Sequence, residues 1–190
     1  EITMMDDDFD ISPILPEACT IIVTDKDENE LQNMEITSLR IRKTESFKSL
    51  YGETTPAYVL YFINANSAED PHNDACTPQL AVKDEAFGLK GSLDGHFWYF
   101  VYTYSSGVTL LQYGNYGSQY NGFGYCPASA VIDATWNEDK SLDIVFSFKD
   151  EVISWGSASG TGNTVSIEWH GKAELYTGSQ ENLLTESDLK

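Results

Sequence analysis

Aromatic rings set among glycines and amides are the residues of this chain best suited to recognition chemistry. Residues 113–125 read Y-G-N-Y-G-S-Q-Y-N-G-F-G-Y. Tyr113, Tyr116, Tyr120, Phe123 and Tyr125 offer flat apolar faces beside Asn and Gln side chains. That combination suits the C–H face and hydroxyl edge of a sugar ring, and it suits protein surfaces too. The same tyrosines would serve equally well to cover the end of a β-sandwich, so a ligand site and a structural lid weigh the same here.

A second constellation is Asp25-x-Asp27-x-Asn29. Alternating oxygen donors of this kind begin a loop that wraps a calcium ion. Glu30 stands where such a loop needs its turn glycine, and Ile36 stands where the bidentate carboxylate belongs, which excludes an EF-hand. A looser Ca2+ site at Asp25, Asp27 and Asn29 remains a candidate, against the plainer reading of a solvated acidic turn; the protein requires no cofactor on this reading. Asp6, Asp7, Asp8 and Asp10 could add carboxylates if the start of the chain folds back, although a solubilising charge run explains them as well.

Two weaker sets complete the search. In His72-x-Asp74-x-Cys76 the three side chains are transition-metal ligands by type, but one short segment rarely closes a good coordination geometry, and a polar loop is the better account. Glu168, His170 and Glu174 fall on one face of an alternating run, where a glycosidase could carry paired carboxylates. Charged residues on the solvent side of a strand need no such explanation. The chain has no G-x-S-x-G, H-E-x-x-H, P-loop or dinucleotide fingerprint, so no catalytic residue is nominated.

The elements that must hold these residues are strands. Leu39 and Ile41 alternate with Arg40 and Arg42 within 34–43, a period-two pattern with one face buried. Residues 57–63 and 96–104 are dense apolar and aromatic runs, too short for typical helices, and read as central strands. In residues 142–148, Leu142, Ile144, Phe146 and Phe148 share a face, and residues 165–175 repeat the design with Val165, Ile167, Trp169, Gly171, Ala173 and Leu175. Residues 79–82, 108–113, 128–136 and 152–155 are further candidates, and Gly, Ser, Ala and Thr dominate the connection 156–163. The expectation is an all-β fold, an antiparallel β-sandwich or jelly roll of about eight or nine strands. It divides into an acidic extended N-terminal arm (1–18), the sandwich (19–178) and a C-terminal tail (179–190) with a short helical turn through Leu183 and Leu184.

Composition limits the partners. The chain has 190 residues, 41% of them hydrophobic, and carries a net charge of −19 with only 11 Lys and Arg. Nucleic acid is excluded as a partner, because no basic stripe can be assembled to follow phosphates. No apolar stretch approaches the 18 to 20 residues that a membrane helix needs, roughly the thickness of the hydrocarbon core. Three cysteines, Cys19, Cys76 and Cys126, fit no zinc spacing, and of the three pairings open to them Cys76 with Cys126 is favoured because both lie in loop-like segments with proline. A start at Glu1 rather than Met leads us to expect that an N-terminal segment has been removed, either a signal peptide in the cell or a stretch trimmed in preparing the protein, and the absence of an Asn-x-Ser/Thr sequon points toward a bacterial protein.

The order in 141–176, an alternating strand, a polar glycine turn and then T-V-S-I-E-W-H-G-K-A-E-L, resembles the closing hairpin of small secreted β-sandwich lipoproteins of Bacteroidetes. The resemblance implies an envelope or surface location, often in glycan-related systems, and carries over no catalytic residue. The expected function is a non-catalytic, extracytoplasmic β-sandwich that binds a glycan or surface protein. One rival is a structural subunit whose N-terminal arm adds as a strand to a neighbouring copy, giving a homo-oligomer. The other is a glycan-active enzyme working through Glu168.

Overall fold

The computed structural model describes residues 19–48, 54–74, 76–93, 96–103, 110–115, 130–149, 153–154, 157–158 and 162–190; for 102–103, 110–115, 153–154 and 157–158 it describes the backbone alone. The strands in chain order are β1 (Thr20–Thr24), β2 (Glu30–Glu35), β3 (Ser38–Lys48), β4 (Thr54–Ile63), β5 (Gln79–Lys83), β6 (Lys90–Ser92) and β7 (Trp98–Thr103). They continue as β8 (Leu110–Asn115), β9 (Val131–Trp136), β10 (Ser141–Lys149), β11 (Ile153–Ser154), β12 (Ser157–Ala158), β13 (Thr164–Lys172) and β14 (Glu174–Leu175). One α-helix, α1 (Glu186–Leu189), and two 3-10 turns, Pro71–Asn73 and Asp84–Ala86, are the only helical segments among the described residues.

Twelve of these strands form two six-stranded sheets, and β11 pairs only with β12. The first sheet runs β2-β1-β13-β10-β9-β6 and is antiparallel throughout. The second runs β14-β3-β4-β5-β7-β8 and is antiparallel except where the short β14 lies parallel to β3. The all-β sandwich expected from the pattern is therefore the observed fold, with more strands than the eight or nine counted in the sequence.

Period-two alternation dictates how the sheets face each other. Phe146 opposes Ile167 on one side and Ile132 on the other, and Ile144 opposes Trp169 and Ala134, so one face of the first sheet is continuously apolar. Leu39, Ile41, Leu60, Phe62, Leu80, Val82, Trp98 and Phe100 form the matching face of the second sheet, and all are buried. The two faces meet through aromatic rings: Trp98 lies 5.6 Å from Phe146 and 5.5 Å from Phe148, and Phe100 lies 5.6 Å from Phe148. Burying one such ring contributes about 1.5–3 kcal/mol. This cluster is the centre of the core.

Two runs that read as single strands are divided by the fold. The run 34–43 breaks at Ile36 and Thr37, where the chain leaves β2 in the first sheet for β3 in the second; Ile36 N donates to Cys19 O and Thr37 N to Ile63 O. The run 165–175 breaks after Lys172, where the chain passes from β13 to β14. Alternation continues through the second crossing, from Trp169 to Ala173 and Leu175, because each sheet turns its apolar face to the same core; at the first it slips by one residue, from Met34 and Ile36 to Leu39 and Ile41.

The tail is part of the domain. Asn182 Oδ1 accepts from Lys43 N and Leu184 N, while its Nδ2 donates to Ile41 O and Tyr176 O. Leu183 N donates to Lys43 O, and Leu189 on α1 is buried in the core. These bonds occupy the edge of β3 beyond β14, where an open edge would invite pairing with another chain. The helical turn falls at Glu186–Leu189 rather than at Leu183 and Leu184, because Thr185 and Asp188 form a capping box there. No helix among the described residues is long and apolar enough to cross a membrane.

Candidate functional site

The outer face of the second sheet is where the molecule departs from the ordinary sandwich. Antiparallel sheets with one face in the core turn polar side chains outward on the other. Here β4 and β5 place Val59, Tyr61 and Ala81 outward, and all three are buried in a second cluster with Phe97 and Tyr176. Two segments cover them, the loop through the Pro71–Asn73 turn and the stretch around Tyr176 after β14.

The loop is held down from both sides. Gln79 Nε2, on β5, donates to Pro71 O and His72 O. Asp74 accepts from Ala68 N, Cys76 N and Thr77 Oγ1, which together outweigh its burial and hold its carboxyl below the usual range. Asp70 accepts from His72 N and from the Tyr176 hydroxyl at 2.9 Å, and these two bonds lower its carboxyl in turn. Tyr176 stacks on Tyr61 with 4.9 Å between centroids. Burial, followed by the bond to Asp70 and the proximity of Tyr61, pushes the Tyr176 hydroxyl up to about 12.

Under this cover lies Arg42, only 5% exposed. Its Nε donates to Tyr61 Oη at 2.8 Å, its Nη1 to Glu181 O at 3.2 Å, and its Cζ stands 6.0 Å from the Tyr176 ring centre. Every one of these partners is formally neutral. Among the described residues no carboxylate oxygen comes within 4.0 Å of the guanidinium. The neighbouring carboxylates have other partners, Asp70 holding Tyr176 and Glu181 holding Thr44 Oγ1 at 2.7 Å. Arg40, two residues away and on the same face, contrasts with it by pairing with Glu174 and donating to Glu69 O.

Tyr61 Oη also lies 3.1 Å from His72 Nδ1. The phenol oxygen accepts from Arg42, and the direction of its bond to Nδ1 follows the imidazole tautomer. Burial first, then the Arg42 charge, lowers the His72 pKa below its ordinary value of 6.5, against a smaller opposing pull from Asp70. Burial likewise raises the Tyr61 hydroxyl, with Arg42 opposing.

These groups border a cavity of about 340 Å³. Val59, Ala81 and Val101 form its floor, Phe47 and Tyr99 flank it, and Arg42, His72 and Asn73 supply its polar end. A second cavity of about 400 Å³ lies at the β9–β10 turn, bordered by Trp136, Asn137, Glu138, Lys140 and the residues around α1. Trp136 there is 38% exposed.

The residues singled out in the sequence fare differently. Tyr116, Tyr120, Phe123 and Tyr125 lie outside the described residues; Tyr113 sits on β8 opposite Phe100, with its backbone alone described. Asp25 accepts from Asp27 N, Asn29 N and Asn29 Nδ2, with Asn29 the main cause of its lowered pKa, and Asp27 pairs with Lys26. The three thus form a self-bonded acidic turn. No three His, Cys, Asp or Glu residues that could hold a metal come together among the described residues. His72 turns its ring to Tyr61 on β4, while Asp74 accepts from Ala68, Cys76 and Thr77 within the loop.

Glu174 does not share a face with Glu168 and His170. It belongs to β14 in the second sheet, beside Arg40, because the chain has changed sheets. Glu168 is exposed opposite Val145, His170 Nδ1 lies 3.3 Å from Asp143, and neither cavity takes in Glu168. Cys76 is a half-buried free thiol; Cys126, its partner in the bridge weighed from the sequence, lies outside the described residues.

Sequence reasoning missed Arg42 because it sits at an outward position of an alternating strand, where a charge is unremarkable. The signal was in β4, whose apolar residues 57–63 fill both faces and so require cover on both. No protein-family model matches the chain, and neither a curated relative nor a solved structure does.

Proposed function

We propose that this chain is a non-catalytic ligand-binding β-sandwich that works outside the cytoplasm and takes part of a glycan or surface component into the cavity over Arg42. The observation that carries this reading is the buried guanidinium, compensated by no carboxylate among the described residues and bordering a cavity with an apolar floor. A buried charge is costly unless a counter-charge reaches it. The cavity lies at the small end of the size range of ligand pockets, roughly 300–1,000 Å³, and combines apolar walls with a few convergent donors in the way such pockets do. The extracytoplasmic setting draws its support from the hairpin 141–176 and the acidic composition.

A Val101→Trp variant tests the site, since a larger ring there fills the cavity from a half-exposed position. Ligands found on a glycan array with the unaltered protein should be lost by this variant; retention of every one of them would move the site elsewhere.

A second reading has an observation of its own. Trp136 presents a partly open ring beside amide, carboxylate and ammonium groups, the kind of surface on which a neutral sugar stacks. Array hits lost in Trp136→Ala but kept in Val101→Trp would favour it. The strand-addition reading rests on the arm 1–18, which lies outside the described residues; the run that follows it is β1, paired with β13 and β2.

A further inference from the structure

We infer that the ligand of this cavity carries a single carboxylate on one six-membered ring, with the carboxylate on Arg42 and a ring face on Val59, Ala81 and Val101. This rests on the reading of the cavity as the binding site and adds the charge and size of what enters it. Arg42 has a planar fork of donors, of which Nε and Nη1 are bonded to Tyr61 and to Glu181 O. The fork suits a carboxylate in a way that a point charge does not. His72 borders the same cavity, with its ring held to Tyr61 through Nδ1. Asp74, the acid that borders the cavity, has both oxygens turned to Ala68, Cys76 and Thr77, so it does not answer the guanidinium.

Charge on the molecule as a whole sets the upper limit. At −19 the protein repels polyanions, while screening over about 8 Å at physiological ionic strength shelters a single carboxylate delivered to a local cation. A cavity of about 340 Å³ has space for one ring with its carboxylate. Whether that ring is an acidic sugar or a benzene is a difference of source, not of the chemistry at Arg42.

The experiment titrates the full chain near neutral pH, by calorimetry, with two matched pairs: glucuronate and glucuronamide, benzoate and benzamide. Each pair keeps the ring and removes the charge. The acid of one pair should bind at least about tenfold tighter than its amide, the value of a charge-assisted hydrogen bond, and the pair that responds names the ring. Arg42→Gln should erase the preference and Arg42→Lys should restore part of it. Asn73→Asp, which adds a negative charge at an exposed position on the rim of the cavity, should weaken the acid more than the amide and so narrow the preference.

Equal binding of acid and amide would overturn the inference and leave the cavity a binding site for neutral ligands. Failure of all four probes would overturn it as well; if Val101→Trp then also kept every array ligand, the reading of the cavity would fall with it.

Discussion

The outer faces of the two sheets are built from the same strand geometry and solve different problems. On the first sheet Glu168, Val145 and Asp133 stand in a row across three strands, Val145 is 44% exposed, and neighbouring side chains pair locally, as His170 does with Asp143. That face needs nothing over it. On the second sheet the corresponding face carries Tyr61, Val59 and Ala81, all buried, with Arg42 among them and a loop and a tail laid across. The difference teaches where to look for function: a sandwich is stable with one dry interior, so a second apolar layer holding a cation that no carboxylate among the described residues reaches, beside a cavity, needs another reason to exist.

The largest effect that could break this comparison is on stability. Tyr61→Ala should cost about 3 kcal/mol or more, as removal of a buried ring does, while Val145→Ala on the open face should stay within about 0.5 kcal/mol. Urea denaturation of the two variants measures both, and equal costs would show that the faces are not different in kind. Next comes the tail. Asn182→Ala should cost about 1–3 kcal/mol, because it leaves backbone groups of β3 without their partners, and hydrogen exchange at Lys43 should accelerate.

Two smaller effects depend on pH. Tyr176 is raised in the folded state, so its contribution is complete below about 10, the ordinary value for a tyrosine, and is lost as pH rises toward about 12. Denaturation midpoints should fall over that window, and Tyr176→Phe should flatten the fall. His72 is lowered, so the unfolded chain takes the proton first; stability should be unaffected above 6.5 and decline as pH drops below it. His72→Gln should remove that slope while leaving the alkaline one, which separates the two titrations.

Much of the fold was legible because alternation in β10 and β13 assigns each side chain to a face without reference to any partner, and Phe146 and Ile167 then meet as the register requires. The site was not legible. His72 was weighed as a metal ligand with Asp74 and Cys76 and read as part of a polar loop, yet its ring answers Tyr61, a residue on a strand that the chain had already left. Arg42 was read as a solvent-facing charge on an alternating strand, and the cover that buries it includes residues near position 180. Glu174 was grouped with Glu168 because the alternation runs unbroken through the change of sheet between β13 and β14.

The sequence by itself determined the all-β class, the inward faces of the strands and the acidic surface, since these follow from side-chain type and a period of two between neighbours. Only the tertiary structure decided that one outer face is roofed, that Asn182 completes the edge of β3, and that Arg42 meets Tyr61, Tyr176 and a carbonyl instead of a carboxylate. The physical reason is distance along the chain: the local pattern fixes which way a side chain points, whereas the dielectric and the partners it meets there are set by segments more than a hundred residues away.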